Sequence, residues 1–150
     1  MVEPRICYRE LRKYKYQLTI EYTHPTHLRI GEDTGTVDDY VRLSKSGDLR
    51  LKKSYAWDGP SGPTVDTKNF MRGSLVHDGL YQLMRDGLLD DKTYRKDADA
   101  ILRDTCKEDG MSAIRASYVY WSVRIAGGYA AKPRPRQPYA CIWAPSAPPT

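Results

Sequence analysis

The order of the secondary-structure patterns along the chain constrains its fold more than any other feature. Residues 14–22 alternate between apolar and polar types and are rich in Tyr, Thr and Ile, which is typical of a strand. Residues 40–44 and 48–53 alternate again around Lys-Ser-Gly-Asp at 45–48, a turn composition that predicts a β-hairpin. All strand patterns precede the helical ones, so the sequence predicts an α+β fold with a small antiparallel sheet rather than a parallel βαβ sheet.

Three helical patterns follow the strands, and a glycine comes directly after each one. They cover residues 68–86, 91–109 and 112–126, and a glycine at that position is a common signal of a helix C-terminus. The link between the first two patterns is short, which predicts that these two helices pack antiparallel. We expect a single domain over residues 1–128 and a proline-rich extended tail over residues 129–150.

Composition excludes several classes of protein. The 150 residues carry 24 Lys and Arg against 19 Asp and Glu, a modest excess that predicts no specific nucleic-acid binding. The cysteines, Cys7, Cys106 and Cys141, are odd in number and form no C-x-x-C pair, which argues against a disulfide framework and a structural zinc site. The start of the chain lacks the apolar stretch of a secretory signal, and no apolar run is long enough to cross a membrane.

The first helical pattern places a histidine inside its apolar stripe. At about 100° per residue, His77 and Tyr81 fall within the stripe, and Asp78 lies at its edge. A histidine in such a stripe is often a core residue only, but the adjacent acid is placed to reach a cleft that the histidine borders. The whole stripe consists of Phe70, Gly73, Val76, His77, Leu80, Tyr81, Leu83 and Met84.

Two acids, Asp97 and Asp99, flank the apolar stripe of the second helix on opposite sides. Later apolar residues extend that stripe toward Asp99, which favours Asp99 as the inward-facing acid and leaves Asp97 as the alternative. Arg95 and Arg103 lie four residues to either side of Asp99 and are spaced to pair with it. If neither acid faces inward, both are ordinary surface charges.

An antiparallel pairing of these helices brings His77 and Asp99 to nearly the same height, because they lie about ten and nine residues from the link. An imidazole backed by a carboxylate is a general-base unit. Asp78 would then be free to hold a hard cation, and the Gly- and Pro-rich loop at 57–63 could add backbone carbonyl oxygens. These parts together predict a metal-assisted hydrolytic site in which water is the nucleophile.

The third helix carries an apolar face that we expect to pack in the core. Further apolar residues at 119, 120 and 123 predict that a second side of this helix is covered, either by the sheet or by a partner chain. The core face consists of Met111, Ile114, Tyr118, Trp121 and Ile125.

Two further histidine patterns fit metal sites poorly. His24 and His27 lie in a break between strands with no third ligand nearby, so a turn is favoured over a metal site. Metal phosphohydrolases that use a His-Asp pair need an upstream histidine on an all-helical fold, whereas these histidines lie beside strands and a proline. We therefore rank this class below an esterase-type site for the His-Asp pair at 77–78.

Four separated motifs lie between residues 55 and 127. They are Tyr-Ala-Trp-Asp-Gly-Pro-Ser-Gly-Pro at 55–63, Val-His-Asp-Gly-Leu-Tyr at 76–81, Arg-Lys-Asp-Ala-Asp at 95–99 and the stretch 118–127. In this order they resemble a phage and prophage family that is catalogued mainly as a domain of unknown function. The resemblance spans roughly residues 40–128. It implies a tailed-phage or prophage origin and brings no established activity with it.

The Gly-rich loop, the His-Asp pair and the later Asp are also similar to the calcium-dependent phospholipase A superfamily, especially its small bacterial branch. This resemblance implies that His77 is the general base, Asp99 its partner and Tyr81 a support of the network. It also implies calcium as the cofactor, bound by the loop and the acid beside the histidine. The implied ligands are Asp78, Asp58 and Gly59. The cysteines that this family places beside its histidine are missing here.

Two functions from different classes follow. The first is a calcium-assisted lipid or ester hydrolase that acts on a phospholipid or membrane surface. The second is a non-enzymatic virion or assembly component, in contact with phage structural proteins, in which His77, Asp78 and Asp99 form a buried polar network. Either function places the protein in the phage virion or the host bacterial cytoplasm. A solvent-reachable cleft at His77 beside the 57–63 loop would favour the hydrolase, and a sealed His77 would favour the second function.

Overall fold

The computed structural model describes residues 6–8, 14–59, 67–134 and 142–144, with the backbone alone at 6–8 and 142–144. In these residues the strands come first and the helices follow, except for one short strand near the C-terminus. The prediction of an α+β fold with a small antiparallel sheet is confirmed.

A four-stranded antiparallel sheet forms the main β part of the fold. Its strands β3 (Tyr22–Pro25), β4 (Thr34–Gly35), β5 (Val41–Leu43) and β6 (Asp48–Leu51) lie in the order β3-β6-β5-β4. β5 and β6 form the predicted hairpin. The turn between them has Gly47 at a φ of 98°, a conformation that glycine adopts without steric cost.

Two antiparallel strand pairs lie outside this sheet. β1 (Ile6–Tyr8) pairs with β8 (Ile142–Ala144), and β2 (Tyr16–Gln17) pairs with β7 (Ala56–Trp57). The second pair ends directly before Asp58, so it fixes the chain at the point where the predicted metal loop begins.

The strand predicted over residues 14–22 is wrong in its second half. After β2 the chain bends, and the Leu18 N–H donates to the Tyr55 carbonyl at 2.8 Å. β3 begins four residues after Leu18 and contains His24 and Pro25, which the sequence had suggested as a break. Pro25 is tolerated because β3 is an edge strand, and His24 fits because its side chain turns into the domain.

In the described part of the chain, three long helices and one short one make up the α part. α1 (Lys68–Arg85), α2 (Asp91–Glu108) and α3 (Ala113–Ala126) match the predicted helices within one residue at each end, and α4 (Gly128–Ala131) follows. The start of α2 is capped by Asp90, whose carboxylate accepts a hydrogen bond from a first-turn backbone N–H. None of these described helices combines the length and apolarity that a membrane span needs.

α1 packs on both α2 and the sheet, and two of its glycines allow the close approach. A Cβ at Gly73 would lie 2.7 Å from the Cys106 sulfur of α2, and a Cβ at Gly79 would lie 2.8 Å from a methyl group of Leu51 in β6. The predicted stripe of α1 is buried along its whole length, including His77. These contacts hold α1 between α2 and the sheet. They thereby fix the position of His77 relative to α2.

The face by which α3 packs differs from the predicted one. Ala116 and Val119 are buried in a cluster with side chains of α1 and α2, and Met111 before the helix is buried as expected. The other four residues of the predicted core face are exposed instead: Ile114, Tyr118, Trp121 and Ile125. α3 is apolar around most of its circumference, so periodicity could not select the packed face, and the smaller side chains allow the closer approach.

The first residues of the predicted tail differ from the extended structure that the sequence predicted. Residues 129–131 belong to α4, and Ala131 is buried. The backbone N–H of Arg134 then donates to the carbonyl of Arg85 at 3.0 Å, which ties this segment to the end of α1. Apart from β8, the remainder of the predicted tail lies outside the described residues.

Candidate active site

α1 and α2 bring His77 and Asp99 into direct contact. The Nε2 atom of His77 lies 2.8 Å from Oδ1 of Asp99, and the Asp99 side chain has no exposed surface. The predicted antiparallel pairing at equal height is therefore confirmed. Asp99 rather than Asp97 is the inward-facing acid, because Asp97 is exposed.

Tyr81 supports the same carboxylate, one helical turn along α1 from His77. Its hydroxyl donates to Oδ1 of Asp99 at 2.7 Å, and its ring lies against the imidazole with 4.0 Å between the ring centroids. Residues four apart lie on one face of a helix, so α1 presents both rings to α2 together. The predicted contact of Tyr81 with the network is confirmed, while its part in catalysis stays a prediction.

Two arginines also approach Asp99, and one of them was not expected. Arg124 of α3 donates from Nη1 to Oδ2 of Asp99 at 2.9 Å, and Arg95 of α2 places its Nε 3.7 Å from the same oxygen. Arg95 was a predicted partner, whereas Arg103 pairs with its neighbour Asp104 instead. No local spacing relates Arg124 to Asp99, because only the packing of α3 brings the two together.

Asp99 is ionised in spite of its burial. Burial alone would raise its pKa, but hydrogen bonds from His77 and Tyr81, together with Arg124, outweigh that effect and hold the pKa below its ordinary value. An ionised carboxylate only accepts hydrogen bonds, so Nε2 of His77 carries a proton, and Nδ1 is the ring nitrogen that can serve as a base. No described residue bonds to Nδ1, and His77 keeps 8% of its surface exposed.

Asp78 lies beside this pair in a partly buried position where its charge is unfavourable. Burial raises the pKa of Asp78 to about 6, with the nearby His77 and Arg85 opposing the rise and Asp58 adding to it. Burial, followed by the charge of Asp78, also raises the pKa of the Tyr55 hydroxyl. Asp58, the other carboxylate expected as a metal ligand, has the smallest of these influences on Asp78.

The strand pair of β2 and β7 anchors the start of the predicted metal loop. The Trp57 indole donates to a serine hydroxyl of α1 at 3.2 Å and packs on the Tyr16 ring with 5.6 Å between ring centroids. Gly59 has a φ of 75°, and a Cβ there would lie 2.6 Å from the Tyr16 ring, so this position requires glycine. Asp58 lies between these two fixed residues, and positions 60–63 of the loop lie outside the described residues.

In the described residues, Asp58 and Asp78 could offer two carboxylates to a calcium ion, and there is no third acidic ligand. There, no group of three or more His, Cys, Asp or Glu side chains could hold a metal ion. Carboxylate and carbonyl oxygens suit Ca²⁺. The donor types thus fit calcium, and water would have to supply most of its six to eight ligands.

His24 and His27 differ in their surroundings. His24 is buried, and its Nδ1 lies 2.9 Å from the hydroxyl of Tyr22, which in turn accepts a hydrogen bond from Arg72. His27 is exposed and has a φ of 61°. His24 is therefore satisfied by structural contacts, and it lies in β3 rather than in the turn that the sequence favoured.

Comparison of the chain with protein-family models, with curated proteins and with solved structures gave no match. The phage and phospholipase resemblances therefore stay predictions from the motifs, and the function has to be inferred from the geometry around His77 and Asp99.

Proposed function

We propose that the protein is a hydrolase that cleaves a lipid or other ester by general-base catalysis at His77. The observation that carries this proposal is the His77–Asp99 pair, in which a buried ionised carboxylate binds Nε2 and leaves Nδ1 as the basic nitrogen. An acid that fixes the tautomer of a histidine in this way is how many enzymes activate water. Tyr81 and Arg124 hold the acid in place.

The proposed reaction is an ester hydrolysis coupled to proton transfer at His77. Nδ1 takes a proton from a water molecule while the water oxygen attacks the carbonyl carbon of the ester. When the tetrahedral intermediate collapses, the bond to the leaving alcohol breaks, and the imidazolium returns its proton to that oxygen. Asp99 stabilises the transient positive charge of His77. The products are a carboxylic acid and an alcohol.

Asp78 and Asp58, with the carbonyl of Gly59, are the groups that would hold calcium. When bound, the ion supplies Lewis-acid stabilisation of the negative charge that develops on the carbonyl oxygen. The types of donor support this assignment, because carboxylate and carbonyl oxygens are the ligands that Ca²⁺ prefers. Loss of one carboxylate should then weaken calcium binding without disturbing the contact between His77 and Asp99.

Phospholipid is the substrate class that the motifs favour. The order of loop, His-Asp pair, tyrosine and later Asp is similar to that of the calcium-dependent phospholipases A, and the motifs between 55 and 127 are similar to a phage family. We therefore propose a phage-encoded enzyme that acts on a membrane surface, from within the virion or the host cytoplasm.

Release of fatty acid from mixed phospholipid vesicles tests the proposed activity. We expect release by the native protein in calcium, little release in chelator, and none by His77→Ala. His27→Ala is the matched control, because that histidine is exposed and lies outside the site. A folded native protein that releases no fatty acid from vesicles of several compositions would refute the lipase proposal.

Calcium binding has a readout that does not depend on turnover. Calcium should raise the midpoint of thermal unfolding of the native protein and of Asp97→Asn, whose side chain is exposed away from the site. It should have a much smaller effect on Asp78→Asn. A native midpoint that does not respond to millimolar calcium would remove the metal from the proposal and leave the His77–Asp99 unit to be tested alone.

A second candidate function is a non-enzymatic virion or assembly component. The observation that favours it is the position of Arg124, whose guanidinium joins α3 to the buried carboxylate of α2 while its carbonyl accepts a hydrogen bond from Arg95. Buried polar contacts of this kind rigidify a fold, and His77 is buried, with 8% of its surface exposed. In that case His77→Ala would alter stability with no activity to lose, and the protein would be found in purified virions.

A further inference from the structure

A row of exposed apolar side chains runs along the outer face of α3. The row, which we name the α3 stripe, has intervals of four, three and four residues and consists of Ile114, Tyr118, Trp121 and Ile125. Their exposed fractions are 86%, 58%, 61% and 83%. Soluble proteins rarely leave a contiguous apolar patch of this kind without a partner, so the stripe has the character of an interaction surface.

The spacing of the α3 stripe is the same when read from either end of the helix. The stripe can therefore pair with the stripe of a second, antiparallel copy. If two α3 helices pack antiparallel about a two-fold axis, Ile114 of one copy meets Ile125 of the other, and Tyr118 meets Trp121. The alternating intervals of four and three are also those of the packed seam between two helices. We therefore propose that the protein forms a two-fold symmetric dimer through the α3 stripe.

The charges of α3 do not oppose this pairing. The helix has no acidic residue and two basic ones, Arg115 and Arg124. Arg115 donates to Thr67 at 3.0 Å, and Arg124 donates to Asp99 at 2.9 Å. Because both guanidinium groups are engaged within their own chain, the self-pairing brings no like charges into the seam.

The exposed area is sufficient for a small specific dimer. Since a fully buried aromatic side chain accounts for about 150–250 Å², the α3 stripe offers about 600 Å² per copy. Complete burial of the stripe in both copies would remove about 1,200 Å² from solvent, the lower end of the range for specific interfaces. Tyr129 of α4, which follows four residues after Ile125 and is 74% exposed, could enlarge the contact.

The dimer does not depend on the proposed hydrolase function. Arg124 contacts Asp99 on the inner side of α3, whereas the α3 stripe lies on the outer side. Pairing of two copies would hold α3 in place, and with it the Arg124 contact, whether or not the site is catalytic.

Sedimentation equilibrium over a range of protein concentrations tests the dimer. We expect the native protein to associate and Trp121→Glu to raise the dimer Kd by about 100-fold, the loss typical of a central aromatic residue. Val37→Glu is the matched control, because Val37 is an apolar residue that is 86% exposed and lies outside α3. Circular dichroism verifies that each variant is folded. A dimer that Trp121→Glu leaves intact would overturn the proposal.

Cysteine cross-linking tests the direction of the pairing. In a Cys7→Ser, Cys141→Ser background, Ile114→Cys combined with Ile125→Cys should give a covalent dimer on oxidation. Ile114→Cys alone should not, because its counterpart would lie about 16 Å away along the helix axis. Efficient cross-linking of the single variant would indicate parallel pairing and overturn the antiparallel arrangement.

A membrane surface is the alternative partner for the aromatic and apolar side chains of the α3 stripe. Binding to vesicles of mixed zwitterionic and anionic lipid, measured beside the sedimentation experiment, separates the two. A native protein that stays monomeric and binds vesicles through Trp121 would overturn the dimer in favour of a membrane-binding face. A monomer that binds no vesicles would overturn the dimer as well.

Discussion

Asp99 has no exposed surface, yet its carboxylate is ionised, because side chains from α1 and α3 donate to both of its oxygens. A buried carboxylate is tolerated only where such donors replace its lost water. The same contacts place the proton of His77 on Nε2 and so decide which nitrogen is basic. At the scale of residues, the interactions that stabilise Asp99 and the interactions that would make His77 a base are therefore the same.

Replacing Asp99 by asparagine should destabilise the protein by about 3–5 kcal/mol, because it removes the charge that Arg124 and Arg95 face in a buried position. Asp97→Asn is the matched control on the same helix, and its exposed side chain should change stability by less than about 0.5 kcal/mol. Urea unfolding at pH 7 measures both. Equal losses in the two variants would contradict the special position of Asp99.

Asp78→Asn should stabilise the protein at pH 7 but not at pH 4. The folded carboxyl has a pKa of about 6 and the unfolded one a pKa of about 3.9, so between these values the folded protein binds more protons. The free energy of unfolding therefore falls as the pH rises through this window and stays low above it.

The asparagine variant lacks this titration and should be more stable at pH 7 by about 1–3 kcal/mol. Urea unfolding at the two pH values measures the difference, with Asp97→Asn as the control. A variant that is stabilised equally at pH 4 and pH 7 would show that the charge of Asp78 is not the cause.

At the scale of elements, helices α1 to α3 were predictable because their signals are local. A glycine follows the C-terminal end of each of these helices, and a capping residue precedes α2 and α3. The contact between His77 and Asp99 was predictable as well, since a short link allows only one arrangement of the two helices. The bounds of β2 and β3 were harder to predict, because they depend on pairing with β7 and β6, which lie far along the chain.

The packing of α3 could not be predicted for a different reason. Its sequence is apolar on most sides, so no periodic pattern separates the face with Val119 from the face with Trp121. Arg124 was missed as a consequence, because its contact with Asp99 exists only once the inward face is known. The missing information is the shape of the surface that α1 and α2 present to α3.

Gly73→Ala should destabilise the protein even though alanine is the better helix former. The new Cβ would lie 2.7 Å from the Cys106 sulfur and 3.2 Å from the backbone carbonyl of Leu102. We expect the overpacking to cost about 1–3 kcal/mol against a propensity gain of about 1 kcal/mol. Thermal unfolding measures the result, with Ser117→Ala at an exposed helix position as the control. A higher midpoint for Gly73→Ala would show that α1 and α2 can move apart without loss.

At the scale of the whole molecule, the described residues form two apolar clusters. The larger one lies between the sheet and the helices, and the smaller one lies where α3 meets α1 and α2. α3 buries only Ala116 and Val119 fully, so polar contacts should contribute more to its docking than to that of the other long helices. The contact of the Arg124 guanidinium with Asp99 is one such polar connection between α3 and the helix pair that carries His77.

Removal of that connection should loosen α3 selectively. Arg124→Met keeps much of the aliphatic length of the side chain but loses a charge-assisted hydrogen bond, which is typically worth about 1.5–3 kcal/mol. Hydrogen exchange measured by mass spectrometry should then show α3 amides exchanging about 10- to 100-fold faster, with little change in β5 and β6. Lys96→Met is the matched control, because the Lys96 side chain is an exposed cation on α2. Faster exchange in every element alike would mean that Arg124 stabilises the fold as a whole, whereas unchanged exchange in α3 would mean that its apolar contacts suffice.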